Sequence, residues 1–413
     1  MELHKSSYLI AALTLLVATP AQATNGMRMI GFGPVQNSMG GVGVGATLDA
    51  ASVLSNPAGM SELGGRVDFG ATWFLPTVKY SATGIAPGLV TNDGATLTSD
   101  RGASPIPAFG LVIPIDSRWS FGIGAYGVAG MGVDYASNLY SSTTITGYQQ
   151  MRFTPGVAFK LDDMFSFGLT LNGMWATTEW NVASAFGQAP HMGGSAFGIG
   201  ATVGAKYTPM KMLTIGLAFE TQSFFQEFAY NTPNGVDKLK FNQPCVLTGG
   251  VAVRPLEMLL VALDVEWINW PATNGANKPE FAQNASGAMP WNMDWKSQVV
   301  FKLGVEVTPL EWLAVRAGYN YGKMPLNPDR AFENISFPAV VENHLTLGAG
   351  FNLGKHVAVN LGGMWAPSTS ITGSNPNPPM GTPGYPGPYG QGIQTYTTSM
   401  TQVGLDAGIA YKF

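Results

Sequence analysis

From Val299 to Val307 every second residue is apolar: Val299, Phe301, Leu303, Val305 and Val307, with Val300, Lys302, Gly304 and Glu306 between them. The chain ends the same way, with Val403, Leu405, Ala407, Ile409, Tyr411 and Phe413 set against Gln402, Gly404, Asp406, Gly408, Ala410 and Lys412. A strand sends alternate side chains to opposite faces, so each stretch predicts one apolar wall and one polar or small wall. Lys302 and Glu306 also stand at the i,i+4 spacing of a helical pair, but Gly304 and valines on both faces favour a strand. Fourteen such stretches are predicted, an even number, as in single-chain outer-membrane barrels. They lie near 66–80, 103–115, 119–134, 147–160, 164–181, 194–207 and 211–228. The series continues at 240–254, 257–270, 294–308, 311–323, 341–353, 355–366 and 399–413.

The connectors alternate in length. Turns at 116–118, 162–163, 208–210, 255–256 and 309–310 are short. Those at 81–102, 135–146, 182–193, 229–239, 271–293, 324–340 and 367–398 are long, and the Pro- and Gly-rich stretch 375–392 reads as a mobile external loop. Transmembrane barrels have short periplasmic turns and longer external loops. Trp73, Trp119, Trp175, Trp267, Trp312 and Tyr411 fall on the apolar parity, as interfacial aromatic girdles require. A soluble β-sandwich needs neither feature. The predicted fold class is all-β, a transmembrane antiparallel barrel of about 14 strands.

Composition strengthens this. Charged residues make up 11% of the chain, against about 25% in ordinary soluble domains. Fifty-three glycines would weaken a helical protein, each by about 1 kcal/mol relative to alanine. No run after the N-terminus approaches the roughly 18 uninterrupted apolar residues of a spanning helix. Lys5, the apolar stretch 8–17 and Ala21-Gln22-Ala23 predict a secretory signal over 1–23. The net charge of −4 leaves no basic footprint for nucleic acid. Cys245 is the sole cysteine, so an intramolecular disulfide is excluded. The expected location is the outer membrane of a Gram-negative bacterium. The expected state is a monomer surrounded by lipid and lipopolysaccharide, with no cofactor and no metal.

Residues 24–65 do not alternate and form a separate N-terminal segment, leaving 66–413 as the barrel. The segment holds Gly40-Gly41-Val42-Gly43-Val44-Gly45-Ala46, then Asp49-Ala50-Ala51, then Asn56-Pro57-Ala58-Gly59-Met60. The glycine run lacks the βαβ frame and acidic partner of a nucleotide-binding turn. The order of these pieces resembles the hatch of the FadL/TodX family, outer-membrane channels for long-chain fatty acids and other hydrophobic compounds. Asp264 to Trp270 (DVEWINW), Arg316 to Gly322 (RAGYNYG) and Phe337-Pro338-Ala339 before Glu342-Asn343-His344 resemble further family segments. The resemblance runs from about Gly31 to Phe413. It implies a hatch inside a fourteen-stranded barrel, with Asn56, Pro57, Ala58 and Gly59 as gating residues. It also implies passive uptake with a lateral exit at a kink in the third strand, where Gly127, Gly130 and Gly132 are the candidates beside Gly122 and Gly124.

Each methylene withdrawn from water is worth about 0.8 kcal/mol, so a hydrophobic solute needs apolar contacts that a polar porin lacks. Two long connectors offer them: Phe281, Met289, Trp291, Met293 and Trp295 in one, Phe186 and Met192 in the other. Arg152, Lys302 and Arg316 face the lumen by parity and are candidates for a carboxylate head group. The inward acids Asp264, Glu266, Glu306 and Asp406 are equally able to neutralise them. The alternatives are a general porin and an outer-membrane lipase- or esterase-like hydrolase. Histidines beyond the signal are His191, His344 and His356, and their spacing places no Ser-His-Asp constellation.

Overall fold

A computed structural model describes residues 25–83, 94–135, 144–182, 191–287, 291–373 and 395–413. The predicted signal over 1–23, Phe186, Met289 and the stretch 375–392 lie outside them, as does the side chain of Met192. Among the described residues the principal sheet has sixteen strands. Two are short additions, Thr96–Thr98 on the first strand and Phe224–Phe225 on the sixth. The remaining fourteen pair antiparallel in sequence order and close through the first and last, Arg66 opposite Lys412 and Thr83 opposite Thr395. They are β1 Arg66–Thr83, β2 Ser104–Pro114, β3 Trp119–Tyr135, β4 Thr144–Lys160, β5 Phe165–Val182, β6 His191–Met210 and β7 Leu213–Glu220. The circuit continues with β8 Val246–Leu256, β9 Leu259–Ile268, β10 Gln298–Leu310, β11 Leu313–Gly322, β12 Asn343–Leu353, β13 Val357–Gly373 and β14 Thr395–Lys412. Closure joins the first strand to the last, so the sheet has no edge strand, as a hydrocarbon environment demands of backbone N–H and C=O groups.

The alternation carries through to the walls. Phe301 and Leu303 are 47% and 43% exposed, while Val300 and Lys302, which alternate with them, are 0% and 6%. The six girdle aromatics are all exposed. In the short turns Asp116 accepts the N–H groups of Arg118 and Trp119 at 2.7 and 2.8 Å, and these bonds hold its carboxyl below the usual range.

Two expectations need correction. The stretch 211–228 is not one strand: β7 stops at Glu220. The connector expected over 229–239 is a hairpin, Phe228–Thr232 with Gly235–Lys240. Glu280–Asn284, from the connector over 271–293, adds to it as a third strand. Asn234-Gly235 turns this hairpin, and Gly235 has φ +129°, a value suited to glycine.

Residues 25–65 lie against the inward faces of the barrel. Pro34 opens the helix Gly33–Ser38 and contacts Gly70 and Gly408 of β1 and β14, near the short turns. Ser52–Ser55 forms one helical turn, and Pro57–Glu62 a 3-10 turn. Residues 25–30 reach the other way, toward the long connectors, where Gly26 packs on Trp270.

A candidate gate and apolar site inside the barrel

The middle of the N-terminal segment, residues 40–60, is bound to the wall through its backbone. Gly43 and Val44 donate N–H to Oδ2 of Asp264 at 2.8 and 2.9 Å, and Gly45 to Oδ1 at 3.2 Å. Three consecutive N–H groups on one carboxylate form an anion nest. Glycine is needed for the fit: a Cβ on Gly45 would lie 2.6 Å from the Val251 nitrogen. Gly40 (φ +69°) donates to Thr346 Oγ1 at 3.0 Å, and Ala50 to Asp68 at 2.8 Å.

Asn56 caps the 3-10 turn by accepting the Ala58 N–H at 3.2 Å. Its Nδ2 donates to the carbonyls of Val44 and Ala205 at 3.0 and 3.2 Å. A gate serving a third-strand exit would bring the corner Asn56-Pro57-Ala58 against that strand's glycines. The corner meets Gly168, Gly204 and Gly216 of β5, β6 and β7 instead, and Gly59 packs on Thr47 and Ser52. Gly122 and Gly124 of β3 receive Val53, Leu54 and Met60, residues on either side of that corner.

Strand β3 breaks step at Val128, because Gly127 pairs with Met151 while Ala129 pairs with Gln150. The extra residue is a β-bulge, and it reverses the facing of everything beyond it. Gly130 and Gly132, which parity with Gly122 and Gly124 would place inward, therefore face away from the lumen, and Gly127 does so by that same parity: their partners Met151, Gln149 and Gly147 alternate with inward Arg152, Gln150 and Tyr148. Below the bulge β3 pairs with β2 from Ala108 to Pro114. Residues 104–107 of β2, including Pro105 and Pro107, pair with β1 and, among the described residues, with no strand on the other side. Chain from the lumen occupies the bulge: Met29 donates to the Val128 carbonyl at 3.1 Å and Gly130 to the Met27 carbonyl at 2.9 Å.

Arg28, between these bonds, sends its guanidinium across the lumen to Glu220 at the end of β7, at 3.1 and 2.9 Å. Arg152 of β4 also donates to Glu220. Its Nε and Nη1 have no hydrogen-bond partner among the described residues, though its side chain is buried. Lys302 donates to Glu266 and to the Ile30 carbonyl, both at 3.1 Å. Arg316 binds Glu306 at 2.7 Å and Asn360 at 2.9 Å. The three candidate bases thus sit at three separate stations, each with a carboxylate. Arg28 and Glu220 were not found in the sequence, because Arg28 lies in a segment without periodicity. The inward parity of Glu220 was the available signal.

Beyond residues 25–30, on the side of the long connectors, the interior is aromatic. Trp291 lies against Trp180 and Phe337, with centroids 4.4 and 5.8 Å apart, and Trp180 against Phe241 at 5.9 Å. Such edge-on contacts add about 0.5–1.5 kcal/mol per pair beyond burial. Phe281 packs at the rim of this cluster, while Met293 and Trp295 are wholly buried in it. Between the aromatic cluster and the nest, Arg28, Glu220, Glu266 and Lys302 line a cavity of about 40 Å³. That volume holds roughly three waters and no solute of organic size.

Residues 14–378 match the family described as Outer membrane protein transport protein (OMPP1/FadL/TodX). The chain is similar to the structure of a Pseudomonas aeruginosa FadL homologue: TM-score 0.74, 16% identity, 94% of this chain and 100% of that one. It is similar to the P. putida toluene transporter TodX (TM-score 0.71, 16% identity, 93% and 99% covered). The Ralstonia pickettii toluene transporter TbuX gives 0.64, 17%, 93% and 99%. An uncharacterized Chlorobium limicola protein, encoded 5′ of a phosphoenolpyruvate carboxykinase gene, is 37% identical over 79 residues, 18% of this chain and 39% of that relative's length. The family is one of transport proteins rather than enzymes. With a closed fourteen-strand barrel and a match over most of its length, the chain belongs to the OMPP1/FadL/TodX family of outer membrane transport proteins.

Proposed function

We propose that this protein is a channel for passive uptake of hydrophobic compounds, long-chain fatty acids or hydrocarbons, with a lateral exit at the β3 bulge. Solute enters among the aromatic side chains of the long connectors and moves toward the gate. Residues 27–29 then leave β3, and the solute passes between β3 and residues 104–107 of β2 into the membrane. The carrying observation is the occupancy of the bulge: lumenal chain supplies hydrogen-bond partners at residues 128–130, where β2, among the described residues, does not pair. The names of the toluene transporters TodX and TbuX support the substrate class.

A general porin fits less well, since residues 40–60 are bound to the wall inside the lumen by the Asp264 nest and the Thr346 and Asp68 contacts. A hydrolase fits less well too. His344 is buried at one end of β12 and His356 lies past the other end, roughly 30 Å away at the rise of a strand. The channel works as a monomer, its apolar wall in lipid and its long connectors facing lipopolysaccharide. Asn56-Pro57-Ala58-Gly59 serves as the fixed corner against which the gate moves.

Arg28 and Ala129 are bridge partners. They form the non-hydrogen-bonded pair between two bonded ones, with Cα atoms about 4.5 Å apart, within disulfide range. Arg28→Cys with Ala129→Cys, in a Cys245→Ser background, should form a bond that abolishes uptake of a radiolabelled fatty acid or hydrocarbon by cells. Reduction should restore it. Uptake through the oxidised, folded protein would refute the exit at β3.

A further inference from the structure

We propose that Arg28 is the latch residue of this gate and that Glu220 is its releasable keeper. The inference rests on the reading that residues 27–29 close the lateral path. Two backbone hydrogen bonds tie residues 27–29 to β3, and the Arg28 fork adds one N–H on each oxygen of Glu220. Charge-assisted, two-point bonds of this kind are the strong ones. They reach from the bulge on β3 to the end of β7 across the lumen, so they fix the direction from which the segment is held.

The stoichiometry matters more than the strength. Glu220 has two guanidinium partners, Arg28 from the segment and Arg152 from the wall. Losing one partner of a single buried pair strands a charge, which is strongly unfavourable. When Arg28 leaves, Glu220 keeps Arg152, and the wall remains a neutral pair. Arg152 even holds two donor nitrogens in reserve, Nε and Nη1. At the neighbouring station the ion pair among the described residues is Lys302 with Glu266, and Lys302 holds the Ile30 carbonyl as well. Release is therefore built into the Arg28 end, and the chain is held again from Ile30 onward. The carbonyl of Met27, next to Arg28, accepts from Gly130, and its side chain is fully buried, so its accessibility reports release.

The test uses the full-length protein in lipid vesicles, with Met27→Cys in a Cys245→Ser background. The rate of modification by N-ethylmaleimide is measured, and a heat-modifiability gel reports the folded barrel. Arg28→Met should raise the rate about tenfold, the size expected for losing hydrogen bonds to a charged group. Arg28→Lys, which keeps the charge but not the fork, should recover part of the protection. Glu220→Gln should raise the rate at least as far as Arg28→Met. An unchanged rate in folded Arg28→Met, or no difference between Arg28→Met and Arg28→Lys, would overturn the latch. Labelling reads departure from β3 whichever way solute leaves, whereas the disulfide lock reads the exit. Either reading can therefore fail without the other.

Discussion

The two halves of the N-terminal segment are held by different chemistry. Residues 40–60 are fastened through backbone groups, by the Asp264 nest, the Thr346 and Asp68 contacts and glycines on facing strands that let main chain touch main chain. Residues 25–30 are fastened through side chains that have other partners, and through two strand-like bonds to a bulge. Backbone in a glycine cradle has no alternative arrangement, because any shift leaves buried N–H groups unpaired. A guanidinium leaving a shared carboxylate has one. On the proposed reading, the difference gives one short segment a fixed body and a tip that can be released.

The largest effect should follow from attacking the body. Asp264→Ala leaves three buried N–H groups without an acceptor, at about 1–3 kcal/mol each. Residues 40–60 should lose protection from protease in the folded barrel, and polar solutes should leak. Intact protection would remove the contrast between body and tip. Lys302→Leu comes next. Parity alone marks position 302 as an inward site that tolerates change, but the structure places Glu266 there with Lys302 as its ion-pair partner. Breaking a buried pair costs about 3–5 kcal/mol, so urea unfolding of the refolded barrel should show a loss. Leu303→Arg on the lipid face should cost about 2–4 kcal/mol if it lies near the midplane. A neutral outcome for Leu303→Arg beside a damaging Lys302→Leu would mean that side chain 303 does not meet hydrocarbon.

Deleting Asn56-Pro57-Ala58 sharpens the comparison at its hinge. The corner touches β5, β6 and β7 rather than the bulged strand. The barrel should fold, by heat-modifiability, while hydrophobic uptake falls because the body no longer fixes the tip. Normal uptake through a folded deletion would leave the corner as a structural turn.

The barrel was legible because period-two alternation is enforced along each strand by lipid on one side and packed lumen on the other. Strand number, closure and the outward aromatics all follow from it. It failed where that constraint lapses. At Val128 one inserted residue reverses parity, and nothing in Gly127 or Gly130 announces which residue is extra. At 228–240 the Asn-Gly hairpin signal was present, but a long connector between barrel strands hid it. The gate was illegible for a deeper reason. Arg28 and Glu220 are 192 residues apart and meet only because the closed sheet places the end of β7 opposite the bulge.

The smallest effect is expected at Pro105 and Pro107, and it asks whether the gap belongs to the wall or to the tip. Proline offers no N–H, and in sheets it is confined to positions without a partner. Residues 104–107 have β1 on one side and, among the described residues, no strand on the other, so these prolines keep that edge from pairing with β3. Replacing both with valine restores two donors and adds β propensity, a change of about 1 kcal/mol or less in stability. If the wall is open by its own sequence, the double variant should fold normally and take up hydrophobic solute more slowly, because β2 now competes with residues 27–29 for the bulged strand. The N-ethylmaleimide rate at Met27→Cys should rise in the same variant, since the displaced tip loses its place. Slower uptake with an unchanged rate would mean that the donors narrow the path without competing for β3. If neither quantity moved, the bulge and the latch alone would define the opening.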